Sequence, residues 1–272
     1  MPITGYSNTI SVTTLAPSFD PDAQAFFDRV TAAGGTLSTT EKNATNQLVL
    51  DMKSAGIWSA MKAIYPMVGA SAEACKQNLK SSSFTGTFTS GWTFASTGAT
   101  PNGSSAFMNT GLTPSVDLAS NNNHLSFYSR TQNTSVSGMN MGVRSASLQE
   151  FWMSLYYAAV ATKLFNAGTY PANTVISTNT NTLGLQIGSQ LSTTSRKLYF
   201  NATLLITNTT SFNFVNPSIN MFISAYNEAG STTQFTPHQC AFASIGDGLT
   251  DTQASNFYTA VQAFQTTLSR NV

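Results

Sequence analysis

In Ser83-Phe84-Thr85-Gly86-Thr87-Phe88-Thr89, apolar or small residues alternate with threonines, and Trp92 and Phe94 carry the pattern on beyond Gly91. A period of two is that of a strand, whose successive side chains leave on opposite faces. The same grammar runs from 83 to 245, with strands expected at 125–129, 149–157, 183–187, 197–206, 221–226 and 240–244. Pro101-Asn102-Gly103-Ser104 is expected to turn a hairpin, because Asn-Gly accepts the positive φ angles of a type I′ turn. Many short strands separated by turn residues point to an antiparallel sandwich or jelly roll rather than to βαβ units.

Helices are expected on both flanks. Asp20-Pro21-Asp22 reads as an N-cap, a proline at the first helical position and an acid in the first turn, and Gly34-Gly35 stops that helix. Ser38-Thr39-Thr40-Glu41 has the capping-box pattern, after which Ala44, Leu48, Met52 and Ala55 share one stripe until Gly56. The run from Ile57 to Tyr65, closed by Pro66, is read with them as part of a helical collar. At the other end, Thr250-Asp251-Thr252-Gln253 repeats the capping logic, and Ala254, Phe257, Val261, Phe264 and Leu268 form an apolar face. The expected organisation is an arm over 1–19, a helical collar over 20–80 and a sandwich over 81–272. The sandwich ends in a helix over 249–269 and forms one domain with the collar.

Only 8% of residues are charged, against about 25% in ordinary soluble domains. The 12 Lys and Arg against 11 Asp and Glu leave +1, so no basic surface for direct nucleic-acid binding is expected. No run approaches the roughly 18 consecutive apolar residues of a transmembrane helix. Disordered chains lack aromatics, whereas 18 Phe, 9 Tyr and 3 Trp here supply a large core. Ser, Thr and Asn take the place of charge, and a neutral surface suits packing against copies of itself or other partners. Met1-Pro2-Ile3-Thr4-Gly5 has neither the basic nor the apolar part of a secretory signal, so synthesis in a cytoplasm is expected.

The residues offer little to a catalyst, and no enzymatic role is expected. His124 and His238 have no metal-type spacing and are read as strand-edge or loop side chains. Cys75 and Cys240 cannot form a zinc knuckle; a single disulfide between them stays open beside the expected state of buried free thiols. A glycosidase needs two facing carboxylates. The strand region offers Asp117, Glu150, Glu228 and Asp247, and nothing local brings any two together. No phosphate loop, dinucleotide fingerprint or nucleophile elbow occurs, and no cofactor or metal is expected. Sugar binding through aromatic faces with Asn, Ser and Thr donors stays open. Trp92, Tyr156 and Tyr157 are core candidates first and sugar platforms second.

Several segments carry a family resemblance in a shared order. They begin with Asp22-Ala23-Gln24-Ala25-Phe26, Gly56-Ile57-Trp58, Ile64-Tyr65-Pro66-Met67-Val68-Gly69, Asn78-Leu79-Lys80 and Gly91-Trp92-Thr93. They continue with 97–103, 124–130, Phe242-Ala243-Ser244-Ile245-Gly246-Asp247-Gly248-Leu249-Thr250-Asp251, Phe257-Tyr258 and 261–265. From about residue 20 to its end the chain resembles bacteriophage virion proteins with a concanavalin-A-like, or laminin-G-like, jelly roll. The resemblance implies a mostly β, antiparallel jelly-roll sandwich with N-terminal helices and a C-terminal helix. It also implies a structural virion component (capsid-associated, tail or fibre) made in the host bacterial cytoplasm and partnered by copies of itself and other virion proteins. It brings no catalytic residues. The alternative expectation is a carbohydrate-binding module that attaches to host surface glycans.

Overall fold

Alternate residues of the period-two stretches point inward and outward, and the inward sets of two sheets meet in one core. The computed structural model describes Met1 and residues 19–159, 162–170 and 172–272. The expected arm over 1–19 lies, apart from Met1 and Phe19, outside the described residues. The eight-stranded sheet runs in the order Thr203–Asn208, Ser195–Phe200, Gly184–Ser192, Asn123–Ser129, Cys240–Gly246, Gly98–Pro101 and Trp92–Ala95, with Met61–Tyr65 also paired to Cys240–Gly246. The nine-stranded sheet runs Thr174–Ser177, Thr162–Gly168, Glu150–Tyr157, Met141–Arg144, Phe222–Ile223, Met108–Asn109 and Thr87–Phe88. Tyr226–Glu228 joins it beside Met141–Arg144 and pairs with Ser231–Thr233. Among the described residues every ladder is antiparallel except that between Tyr226–Glu228 and Met141–Arg144. The fold is the expected jelly-roll sandwich.

Leu125, Phe127, Leu198, Ala243 and Ile245 from one sheet meet Met141, Val143, Phe151, Met153 and Phe165 from the other. The Phe165 ring lies over Gly188, where any side chain would collide with it. The opposite parity of the eight-stranded sheet, including Tyr128, Leu185, Ile187, Tyr199 and Phe242, is buried under helices. Those helices are Pro21–Ala32, Thr39–Ser54 and Asp251–Thr267. Each starts at its expected cap. The Asp20 carboxylate accepts from Asp22 N, and Ser38 with Glu41 and Thr250 with Gln253 form full capping boxes. One sheet is therefore covered on both faces, and the outer face of the nine-stranded sheet carries the separate cluster of Met139, Trp152, Leu164 and Tyr226. No helix among the described residues is long and apolar enough to cross a membrane.

Four local expectations are corrected. The run 57–65 is one 3-10 turn, Trp58–Ala60, followed by a strand, Met61–Tyr65. A short apolar run fits either period. Pairing with Ala243–Gly246 decides it, aided by Pro66, which drives the preceding residue out of the helical region. Asn102-Gly103 does not turn a hairpin: Gly98–Pro101 and Met108–Asn109 belong to different sheets. The Asn102 carboxamide oxygen accepts from the backbone of Ser104, Ser105 and Ala106, each at 3.0 Å, as the chain crosses between them. The expected strand 197–206 is a hairpin instead, turned at Asn201 and Ala202, both with positive φ. The expected strand 221–226 breaks at Ser224, also at positive φ, and this break carries Tyr226–Glu228 alongside Met141–Arg144.

Candidate functional site

Strand parity and one unusual pairing build a site on the outer face of the nine-stranded sheet. Phe151 and Met153 point into the core, so Glu150 and Trp152 point out; Met141 and Val143 point in, so Gly142 and Arg144 point out. The registers pair Arg144 with Glu150 on one side and with Glu228 on the other. A carboxylate, a guanidinium and a carboxylate thus stand in a row across three neighbouring strands. The next row is Tyr226, Gly142, Trp152 and Asn166. A Cβ at Gly142 would sit 2.6 Å from the Tyr226 ring and 3.1 Å from Trp152 Cβ, so the glycine lets both aromatic residues close in.

The result is a hollow of about 140 Å³. Trp152, Tyr157, Tyr170 and Tyr226 provide its aromatic wall, with Met139 and Leu164 completing the apolar part. Arg144, Glu150, Glu228 and Gln234 form the polar part. Trp152 and Tyr226 are each only 3% exposed, whereas Tyr170 is 46% exposed, with its ring centre 6.0 Å from that of Trp152. The Arg144 guanidinium bonds to Glu228 and lies 3.8 Å from Glu150. The second oxygen of Glu150 accepts from Asn166 at 2.8 Å and from the Trp152 indole at 3.2 Å. That of Glu228 accepts from Thr233 at 2.9 Å. Burial first, then the charges of Glu150 and Glu228, raise the Tyr226 phenol well above its ordinary range, so it stays neutral and keeps its proton.

Two lining atoms are buried with no hydrogen-bond partner: Nε of Arg144, a donor, and Oε1 of Gln234, an acceptor. A buried polar atom without a partner costs about 1–3 kcal/mol, and such atoms call for an explanation wherever they occur. Both residues line the hollow, but these two atoms are themselves buried beneath its surface.

Of the residues singled out in the sequence, Glu150 and Glu228 do come together, through Arg144, against expectation. Asp117 accepts from Thr113 N at 2.7 Å and caps a short turn, and Asp247 pairs with Lys62 at 3.5 Å. His124 lies within the central strand Asn123–Ser129 and His238 in the expected kind of loop, before Cys240–Gly246, and both are buried. Nδ1 and Nε2 of His124 bond to the Asp247 carbonyl and Ser244, and burial depresses both imidazoles to about 4, so they stay neutral. Cys75 and Cys240 are buried free thiols, and burial pushes Cys75 up to about 12. Of the three aromatic candidates only Tyr157 reaches the hollow. Trp92 packs against Phe88 at 5.0 Å, and Tyr156 is buried. Trp152, Tyr170, Tyr226 and Gln234 were not foreseen. Parity along 149–157 carries a signal for Trp152, but nothing local marks Gln234.

A larger hollow of about 640 Å³ is bordered by Thr36, Ser38, Thr40, Ser96, Thr267 and Ser269. Its one acid, Glu41, already accepts from Gly69 N at 2.7 Å and Ser38 N at 2.8 Å, and no aromatic residue lines it. Convergent chemistry, not size, favours the smaller site.

No family model matches the chain, and no curated protein does. Among solved structures, a mutant of Trypanosoma rangeli sialidase displaying trans-sialidase activity is similar over 80% of this chain and 39% of that one, with 7% identity and a TM-score of 0.51. Domain 4 of AbnA, an extracellular arabinanase of Geobacillus stearothermophilus solved with arabinotriose, is similar over 73% of this chain and 98% of that domain, with 15% identity and a TM-score of 0.49. A carbohydrate-binding module of a Ruminococcus gnavus sialidase follows at 14% identity, 50% and 81% coverage and a TM-score of 0.36. At such identities the likeness to the trypanosomal enzyme concerns architecture alone: what the two chains share is the β-sandwich.

Proposed function

We propose that the chain binds carbohydrate at the hollow formed by Arg144, Glu150, Trp152, Tyr170, Tyr226, Glu228 and Gln234. The observation that carries this reading is an aromatic wall beside a row of charged side chains in one small hollow. A sugar ring presents apolar C–H faces to aromatic rings and hydroxyls to carboxylate and guanidinium groups. The volume suits a single ring better than a drug-sized molecule, whose pockets run about 300–1,000 Å³.

The reading is binding without turnover. A glycosidase needs one carboxyl free to protonate the leaving oxygen, and here both carboxylates are engaged by Arg144 and further donors. Packing in a virion rests on the resembling segments, and none of the hollow's lining residues belongs to them. Those segments fill the core and bear on the sandwich; the hollow bears on the ligand.

A glycan array probed with the full chain and with Tyr170→Ala tests the proposal. Tyr170 is the exposed ring, so its loss leaves the fold intact. Removing one stacked aromatic face costs about 1.5 kcal/mol, so binding falls about tenfold. An unchanged array profile for Tyr170→Ala, or a silent array for the parent, defeats it.

A further inference from the structure

The charges of the hollow choose among sugars. Its three ionised side chains are one guanidinium and two carboxylates, Arg144 against Glu150 and Glu228. The other lining groups are neutral, so the site carries a formal charge of −1. Proteins that hold an acidic sugar or other carboxylate favour an arginine whose fork is open to a bidentate pair. Arg144 has no open fork. One terminal nitrogen bonds to Glu228, the other faces Glu150 at 3.8 Å, and Nε is buried. A ligand carboxylate would have to displace one of these carboxylates or stand beside both.

We infer that the hollow takes a neutral sugar residue and turns away carboxylated ones such as sialic and uronic acids. The inference rests on the carbohydrate reading above and narrows it. Neutral hydroxyls meet the Glu150–Arg144–Glu228 row without adding charge. A carboxylate adds a third negative group next to Glu150 and Glu228, which stay partly open to solvent, so the repulsion acts fully at low salt and is screened as salt rises. Selectivity thus comes from a repulsive element as well as from the contacts that attract.

The test uses matched pairs of neutral oligosaccharides and their counterparts bearing one sialic or uronic acid, lactose and 3′-sialyllactose among them. Affinities for the full chain and for Glu228→Gln are measured by titration. The expected result is binding of neutral members at least about tenfold tighter than of their acidic partners. That gap narrows as salt rises from about 0.01 M to about 1 M, and narrows again in Glu228→Gln. The salt series gives the answer even if that variant folds poorly. Acidic members bound as tightly as neutral ones, or a gap indifferent to both salt and Glu228→Gln, overturn the inference and leave sugar binding standing. Binding of neither class overturns the carbohydrate reading and this inference with it.

Discussion

An Arg270→Met variant melts roughly 6–20 °C below the parent, because it strips a buried hub of hydrogen bonds at a cost of about 3–5 kcal/mol. Arg270 is 1% exposed although only Asn271 and Val272 follow it in the sequence. Its guanidinium donates to the carbonyls of Met67 at 2.8 Å, Pro66 at 2.6 Å and Ala241 at 2.9 Å, and to the Gln265 side chain. It therefore fastens the last helix to the strand Cys240–Gly246 and to the exit of Met61–Tyr65. Methionine fills similar volume but leaves the Met67 and Pro66 carbonyls buried and unpaired, each a loss larger than the hydrogen bond itself, while Ala241 keeps the Gln265 amide at 3.3 Å. Thermal unfolding by circular dichroism measures the difference. A variant within 2 °C of the parent would contradict this account.

A second buried cation predicts the opposite sign. Lys163 is fully buried between the sheets, its Nζ 3.8 Å from the Phe200 ring centre and 3.4 Å from the Leu155 carbonyl. No ion pair holds it among the described residues. Burial depresses its ammonium from 10.5 to about 7. In the unfolded chain Lys163 binds its proton up to about pH 10.5, while in the folded chain it releases it near 7, so stability rises with pH between those values. Below pH 7 the folded state bears the full penalty of a charge in the core, about 5 kcal/mol at 1.36 kcal/mol for each pH unit of that depression. Lys163→Met removes the penalty and loses one long hydrogen bond and the ring contact. At pH 6 it is expected to be more stable by about 3–5 kcal/mol, with the gain vanishing towards pH 10.5. Urea unfolding at pH 6 and pH 10 reads both ends. A variant no more stable than the parent at pH 6 sinks the prediction.

The contrast between these residues shows what a sequence can and cannot display. The caps at Asp20, Ser38 and Thr250 satisfy backbone groups within three residues, so they are legible from the local sequence. Strand parity is local too: Phe151, Met153 and Leu155 in the core leave Glu150 and Trp152 on the other face. Register is not local. Glu228 meets Arg144 across 84 residues because a single serine at positive φ shifts the chain into a parallel pairing. Met61–Tyr65 chose strand over helix for a partner near the far end of the chain, with Pro66 the one nearby hint. Arg270 carries no local signal, and only the assembled core gives it acceptors. The shortage of charge that discouraged an enzymatic reading remains. Yet three of the few charges stand together, and they border the hollow.

The chain has three tryptophans, and they give a direct readout of where a ligand sits. Trp152 lines the hollow; Trp58 lies under Lys80 at 4.5 Å and Trp92 packs against Phe88, both away from it. In an amide-proton NMR titration with neutral oligosaccharides, the account predicts that the Trp152 indole resonance moves saturably while those of Trp58 and Trp92 stay in place. Binding that leaves Trp152 unmoved, or no response from any of the three, contradicts it.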